Sequence, residues 1–153
     1  FKYSAQCGFY KTYEQKNPQK IRHYTKLKDD QINWEGMKYP CCNNDIDKFE
    51  DKNKGLISIN IYHECDYDGQ KGISVHRRTK VNNAQHHISL LKIEDDNGEN
   101  HYVDIKDYDT LIGAQTNESK HNLFHCRYCQ HGFKRIDLLD NHLHRGCLSV
   151  EGQ

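Results

Sequence analysis

The sequence lacks any apolar run close to about 18 residues, so none of its segments predicts a membrane-spanning helix. It also has few hydrophobic residues: they make up 35% of the 153, and ten of them are tyrosines. A chain of this length suits one domain of ordinary size, or one domain with a small module. We therefore expect a modest core that buries tyrosine rings and leaves their hydroxyl groups paired or hydrated.

The sequence has no excess of either charge, since 22 Lys and Arg residues balance 22 Asp and Glu residues. This balance argues against a general polyanion binder, which usually carries an evident basic excess. The charge is unevenly placed, however. Residues 1–40 hold eight basic and four acidic groups, residues 41–119 hold nine and fifteen, and residues 120–153 hold five and three. Any contact with a nucleic acid is therefore expected at the ends of the chain.

An even set of cysteines is also missing. The sequence has seven, whereas a secreted disulfide framework prefers an even number in a shorter chain. Three of them, Cys126, Cys129 and Cys147, have the spacing of metal ligands. These features favour an intracellular, reducing compartment, either nucleus or cytoplasm.

The first 53 residues read as mainly helical. FKYSAQCGFYKTYEQK carries apolar residues close to a helical stripe, and a second helix is expected after Asn17-Pro18. A third is expected in NNDIDKFEDKNKG, between an Asn cap and Gly55. Because the chain opens inside a plausible element and without an initiator methionine, we expect a fragment or a processed product.

The middle of the chain changes to the period of β-strands. Four segments alternate with a β-branched bias, namely LISINIY (56–62), ISVHRRT (73–79), HISLLKI (87–93) and HYVDIKDY (101–108). Asn97-Gly98 is a hairpin signal between the last two. We predict an α+β fold with N-terminal helices and a small antiparallel sheet over residues 1–119. The polar stretch YDTLIGAQTNESKHNL is expected to connect this domain to a last module, residues 120–153.

The last module has the spacing of a ββα zinc finger. Cys126 and Cys129 are separated by two residues, twelve residues lead to His142, and four more lead to Cys147. Phe133 and Leu139 occupy the positions of the small finger core. The pattern predicts a C2HC variant of the C2H2-type finger, with a closed, tetrahedral and therefore structural Zn²⁺. His144 competes with His142 as a ligand, but it would point away from the same helical face.

The finger's helix offers candidate contacts to a nucleic acid. Counted back from His142, the side chains expected to face a major groove are Arg135, Asp137, Leu138 and Asn141. Arg135 suits a guanine edge and Asn141 an adenine edge, with Lys134, Arg135 and Arg145 toward phosphates. One finger covers about 3 base pairs, too few for tight specific binding. Two roles therefore stay open: a clamp on nucleic acid, or a module that only contacts protein.

A second basic site is the end of the second predicted strand, where Arg77, Arg78 and Lys80 could touch phosphate. A solvated surface is the more ordinary explanation for such a group.

Three stretches, KGLISINIY, HHISLLKIED and HYVDIKDYDTLIGAQTNESKHNLFHCRYCQHGFKRIDLLDNHLHRGC, resemble a region of family B DNA polymerases of Maverick/Polinton self-synthesising transposons and their viral relatives. That region precedes the catalytic core and ends in a C2HC finger. FKYSAQCGFYKTYEQKNPQKIRHY and GMKYPCCNNDIDKFEDKNKG resemble it too, so the similarity covers nearly the whole chain. In GMKYPCC the chain departs from the family, since the resemblance gives Cys41 and Cys42 no role.

The resemblance implies an accessory portion of such a polymerase, or a transposon-derived remnant, without polymerase chemistry. In the family, the acidic exonuclease motif and the polymerase motifs follow the finger, and this sequence contains neither. The resemblance therefore implies no enzymatic activity for these residues. It implies a zinc-binding module that contacts nucleic acid, a protein partner or the rest of a larger polypeptide.

Two other interpretations remain. The chain order of Cys7, His87 (or His86) and Asp107 (or Asp104) is that of papain-like thiol hydrolases. Cys7 lies inside a helical pattern and not at its start, so an inactive relative is favoured over an active enzyme. The last interpretation is a host zinc-finger protein that mediates protein contacts alone.

Overall fold

A computed structural model describes residues 1–10, 20–25, 29–81, 84–116 and 123–147. In these ranges the helices are α1 (Lys2–Tyr10), α2 (Arg22–Thr25), α3 (Asn43–Lys52), α4 (Tyr108–Thr116) and α5 (Ile136–His144). The strands are β1 (Ile57–Tyr67), β2 (Gln70–Arg77), β3 (His86–Glu94), β4 (Asn100–Asp104), β5 (Phe124–His125) and β6 (Gly132–Phe133). The α+β class is confirmed. The expected helix across 11–16, the restart at Asn17-Pro18 and the domain boundary at 119/120 lie outside the described residues.

The larger sheet has four strands in the order β2-β1-β3-β4. Strands β1 and β2 form one antiparallel hairpin, and β3 and β4 form another. Strands β1 and β3, however, run parallel, with Ile57 beside His86 and His63 beside Lys92. The expectation of a wholly antiparallel sheet is therefore wrong at its centre.

The composition of the strands explains this arrangement. Strand β1 is buried on both sides, since Ile59 and Asn60 are both fully covered. Strand β2 exposes Gln70, Lys71 and His76, side chains that suit an unpaired edge. Because β2 lies at the edge, the next strand, β3, pairs with the other side of β1. Strand β2 returns antiparallel to β1, and β3 then runs in the direction of β1 again, so the two are parallel.

The two faces of this sheet differ in chemistry, because side chains alternate along a strand. The face we call the isoleucine face carries Ile57, Ile59, Ile61, Ile88 and Leu90. Helices α1 and α3 cover it with Phe9, Ile46 and Phe49. The other, which we call the polar face, presents Ser58, Asn60, Tyr62, His87 and Ser89. Helix α4 covers part of it, where the Tyr62 and Tyr108 hydroxyl groups lie 2.9 Å apart.

Two local expectations need correction. The residue that caps α3 is Cys42 and not an asparagine, and the Asp45 carboxylate accepts the Cys42 backbone N–H at 3.0 Å. The stretch predicted as a polar connection begins with α4. Its first turn is capped by Asp107, whose carboxylate accepts the backbone N–H of Thr110 at 3.1 Å and the hydroxyl of Thr110 at 2.9 Å.

Among the described residues, the helices are all too short or too polar to cross a lipid bilayer.

A buried ion pair joins α3 to the sheet. Arg77 donates to the Glu50 carboxylate at 2.7 Å and to the Ile59 carbonyl at 2.7 Å, and Glu50 also accepts the Ile59 backbone N–H at 2.6 Å. Both side chains are almost fully covered, at 5% and 3% exposure. Arg77 is therefore a structural residue of the fold and does not face phosphate.

Replacing Glu50 should test this network. Glu50→Ala leaves the Arg77 guanidinium buried with only partial compensation from Asp47, and loss of one partner of a buried pair costs about 3–5 kcal/mol. Urea unfolding followed by circular dichroism measures the loss. Glu35→Ala is the matched control, because Glu35 is 80% exposed in its contact with Lys52 and should cost less than about 1 kcal/mol. Equal unfolding midpoints for the two variants would contradict the assignment.

Candidate metal centre

Four side chains near the C-terminus converge on one point. One ligand atom from each of Cys126, Cys129, His142 and Cys147 lies within 4.8 Å of the others. The Sγ atoms of Cys126 and Cys147 are 3.9 Å apart, and Cys129 Sγ is 3.5 Å from His142 Nε2. Tetrahedral zinc with Zn–S bonds of about 2.3 Å and Zn–N bonds of about 2.0 Å has edges of about 3.5–3.8 Å. The cluster predicted from spacing is therefore of the right size to hold a metal ion such as zinc.

The local chain brings these ligands together in the order strand, strand, helix. Strands β5 and β6 pair antiparallel, with Phe124 opposite Phe133. The turn between them is closed by hydrogen bonds from Gln130 N to Cys126 O at 2.8 Å and from Cys126 N to His131 O at 2.9 Å. We call residues 126–130 the knuckle. It presents two thiols, while α5 and the residues after it supply the imidazole and the third thiol.

This segment has little apolar burial of its own. Helix α5 has no buried residue, although Cys126 and Cys147 are covered to 0% and 5% exposure. The Phe133 ring packs against the His142 ring with centroids 5.1 Å apart. A bound metal would compensate for so small a core, because binding of a structural zinc can supply on the order of 10 kcal/mol.

The electrostatics of the cluster favour protonated thiols at Cys126 and Cys129 unless a cation is bound. Burial, and to a smaller extent the adjacent Cys129 side chain, raises the pKa of Cys126 to about 12. The backbone N–H groups of Cys129 and Tyr128 oppose this by donating to Cys126 Sγ. Burial also raises the pKa of Cys129. A divalent ion reverses this tendency, because a coordinating thiol loses its proton outright. Three thiolates and one imidazole form a soft, tetrahedral set that suits zinc better than magnesium or calcium.

The histidines near the cluster have separate roles. His144 is exposed and lies outside the cluster, as its position on the helix predicts. His125 is buried, and the carboxylate of Asp109 on α4 accepts its backbone N–H at 2.7 Å and lies 3.2 Å from its Nδ1 atom. Sequence reasoning missed this contact, and its only signal was the position of His125 beside Cys126.

The knuckle is docked on the polar face of the sheet. Asn60 Nδ2 donates to the Arg127 carbonyl at 2.5 Å, and Arg78 Nη1 donates to the Tyr128 carbonyl at 2.7 Å. The Tyr128 ring packs against the His87 ring, with centroids 4.8 Å apart. We call the part of the chain formed by α1–α4 and β1–β4 the α+β body. The cluster of four candidate ligands is attached to it by contacts that the spacing of the cysteines did not predict.

Helix α5 leaves the candidate nucleic-acid contacts in solvent. Lys134, Arg135, Asn141 and Arg145 are all exposed. Arg135 is held by Asp137, whose two carboxylate oxygens accept its Nε–H at 2.9 Å and its Nη2–H at 2.6 Å.

The residues of the thiol-hydrolase alternative are not brought together. Cys7 belongs to α1, which covers the isoleucine face, whereas His87 lies on the polar face with its Nδ1 2.7 Å from the Ser58 hydroxyl. Burial lowers the pKa of His87 to about 3, which makes it a poor base at neutral pH. Asp107 caps α4, and its hydrogen bonds to Thr110 lower its pKa. Of the substitutes, His86 packs against Phe9 on the isoleucine face, while burial raises the pKa of Asp104 to about 6.

Comparison with models of known families, with curated proteins and with solved structures gives no match. The resemblance to transposon polymerases stays a prediction.

Metal analysis should find one zinc per chain. Cys126→Ser replaces a buried thiolate with a weakly ligating hydroxyl, so zinc affinity should fall by more than about 100-fold, since even residues outside the coordination sphere can change affinity by about 10–100-fold. Competition with a chromogenic chelator gives the affinity. Cys65→Ser, a change to a free thiol on β1, is the control and should keep the wild-type value. A wild-type protein purified with no zinc, and unable to take it up, would falsify the site.

Proposed function

We propose that this chain is a zinc-dependent nucleic-acid-binding module in which α5 is the contacting helix. The observation that carries the proposal is the orientation of the finger. Its knuckle is docked on the sheet, while Lys134, Arg135, Asn141 and Arg145 are exposed on the remaining surface.

The proposed role of zinc is structural. Cys126, Cys129, His142 and Cys147 would fill all four positions of a tetrahedral ion, which leaves no position for a substrate or a reactive water. The ion would fix α5 against β5 and β6, because the apolar contacts there are few. The chemistry that zinc supplies is therefore the folding energy of the contacting unit.

The arrangement of Arg135 supports base contact. A guanidinium has five N–H donors, and Asp137 engages two of them. The remaining donors include both hydrogens of Nη1, and the carboxylate restricts the plane in which they lie. A guanidinium held in this way is suited to the two acceptors on the major-groove edge of guanine.

The strength of such contact should be low. One finger covers about 3 base pairs, and the chain as a whole has no net charge. Lys134, Arg135 and Arg145 would neutralise about three phosphates, so the expected dependence of log affinity on log salt has a slope of about −3. Contact of this strength suits a module that adds to the nucleic-acid affinity of a larger protein or complex.

We propose as its origin the portion that precedes the catalytic core in the DNA polymerase of a self-synthesising transposon, or a remnant of it. The order of LISINIY, HISLLKI, HYVDIKDY and the finger supports this origin. The reading frame that encodes the chain should then continue into an acidic exonuclease motif and polymerase motifs, unless the protein is a remnant. In either case the proposed replication-related role is binding, without polymerase chemistry in these residues.

A second candidate function is contact with protein alone. Helix α5 exposes Ile136, Leu138 and Leu143 at 52%, 43% and 37%, apolar surface that phosphate contact does not use. This alternative keeps the same zinc site and assigns α5 a protein partner in place of nucleic acid.

Duplex binding distinguishes the two functions. Fluorescence anisotropy with a short labelled duplex should show binding at low salt, a slope near −3 and loss of binding with EDTA. Lys134→Ala should reduce the steepness of the slope by about 1, because one phosphate contact is lost. Lys71→Ala, an exposed lysine on β2, is the matched control and should change neither quantity. Absence of binding at about 50 mM salt would favour the protein-contact function.

A further inference from the structure

Two peptide groups of the knuckle connect the metal cluster to the sheet. The peptide between Arg127 and Tyr128 and the one between Tyr128 and Cys129 lie in the turn that separates the thiols of Cys126 and Cys129. The carbonyl groups of the same two peptides accept hydrogen bonds from the sheet, from Asn60 and Arg78 respectively. Two residues of the α+β body therefore hold the turn that sets the distance between these two thiols.

We propose that Asn60 and Arg78 are positioning residues of the metal site, which hold these two peptide groups, and with them the spacing of the Cys126 and Cys129 thiols, and thereby set the affinity for zinc. The inference rests on the proposed zinc site and adds to it two residues that lie 67 and 50 positions before the carbonyls they bind.

The rigidity of the peptide group makes this action direct. A peptide group is planar, so a donor that holds its carbonyl also holds the plane of the whole group. Two of the three peptides between Cys126 and Cys129 are held in this way. The two thiols therefore keep their relative placement before the metal arrives.

Charge adds to orientation. Arg78 adds a full positive charge on the Tyr128 carbonyl. Three thiolates and one Zn²⁺ leave a net negative charge on the site, so a cation joined to it through one peptide favours the loaded state.

The two donors are themselves held firmly. Asn60 is fully covered, and its Oδ1 accepts the Thr79 backbone N–H at 2.8 Å, so its amide cannot turn without losing a bond at each end. Gln130 supplies a further donor, with Nε2 at 3.3 Å from the Arg127 carbonyl and at 3.1 Å from the Tyr128 carbonyl. Outer partners of this kind are worth about 10–100-fold in metal affinity at other sites.

The experiment measures zinc affinity in the full chain by competition with a chelator. Asn60→Asp keeps an oxygen for Thr79 but turns the donor toward Arg127 into an acceptor, so affinity should fall by about 10–100-fold. Arg78→Met removes both charge and donor and should cause a similar loss, while Arg78→Lys should recover part of it. Lys80→Met, which removes an exposed cation two residues away, is the control and should bind zinc like the wild type.

Cobalt substitution separates positioning from a general effect on folding. The thiolate-to-cobalt charge-transfer bands of Asn60→Asp and Arg78→Met should shift or weaken relative to the wild type. Arg78 is only half-buried, so Arg78→Met tests the idea even if Asn60→Asp does not fold. Wild-type affinity and an unchanged cobalt spectrum in a folded Arg78→Met variant would overturn this inference and leave the zinc site intact. A wild-type chain that binds neither zinc nor cobalt would overturn both.

Discussion

The convergence of three thiols and one imidazole is the constraint on which the C-terminal part of this molecule depends. Strands of two residues and a helix of nine without a buried side chain cannot hold their shape by apolar contact. A bound metal would replace the missing core, and the need to bring four ligands together accounts for their spacing in the sequence. The function of the other residues on and beside α5 is then a separate question, since Arg135, Leu138 and Asn141 are not among the four candidate ligands.

The polar face of the larger sheet depends in turn on the segment that covers it. Its central strand β1 places isoleucines against α1 and α3, as a conventional core requires, yet its opposite face buries Ser58 and Asn60. Buried polar groups are costly unless they are paired, so such a face makes sense only if polar partners cover it. The Arg127 carbonyl of the knuckle is the partner of Asn60, while the Ser58 hydroxyl pairs with His87 on the neighbouring strand. The contact with the knuckle pairs the buried Asn60 side chain and also holds the C-terminal segment in place. It explains why a strand with the hydrophobic pattern of a core strand contains this buried polar side chain.

The parts that could be predicted from sequence are those in which local chemistry sets the spacing. Metal ligands demand fixed intervals, and the period of two in LISINIY and HISLLKI follows from strand geometry. Parallel pairing of β1 with β3 could not be predicted, because hairpin signals report on neighbouring strands alone. Helix α4 was missed although Asp107, followed at the third position by Thr110, is a cap signal that could have been used. His87 was matched to Cys7 by chain order, whereas the register of β3 places His87 on the face of the sheet opposite to the one that α1 covers.

Asn60 and Arg78 were beyond sequence reasoning for a related reason, since their partners are main-chain carbonyls, which carry no residue identity. The same docking bears on how α5 could meet a nucleic acid. A finger on a flexible tether can insert at any angle, whereas this one approaches with the α+β body attached to its knuckle. Residues 41–119 of that body hold fifteen acidic and nine basic groups, so phosphates are repelled there and attracted at Lys134, Arg135 and Arg145. The body would therefore limit contact with nucleic acid to the outer side of α5. Its contribution would be to orient the helix and not to increase the overall attraction for phosphate.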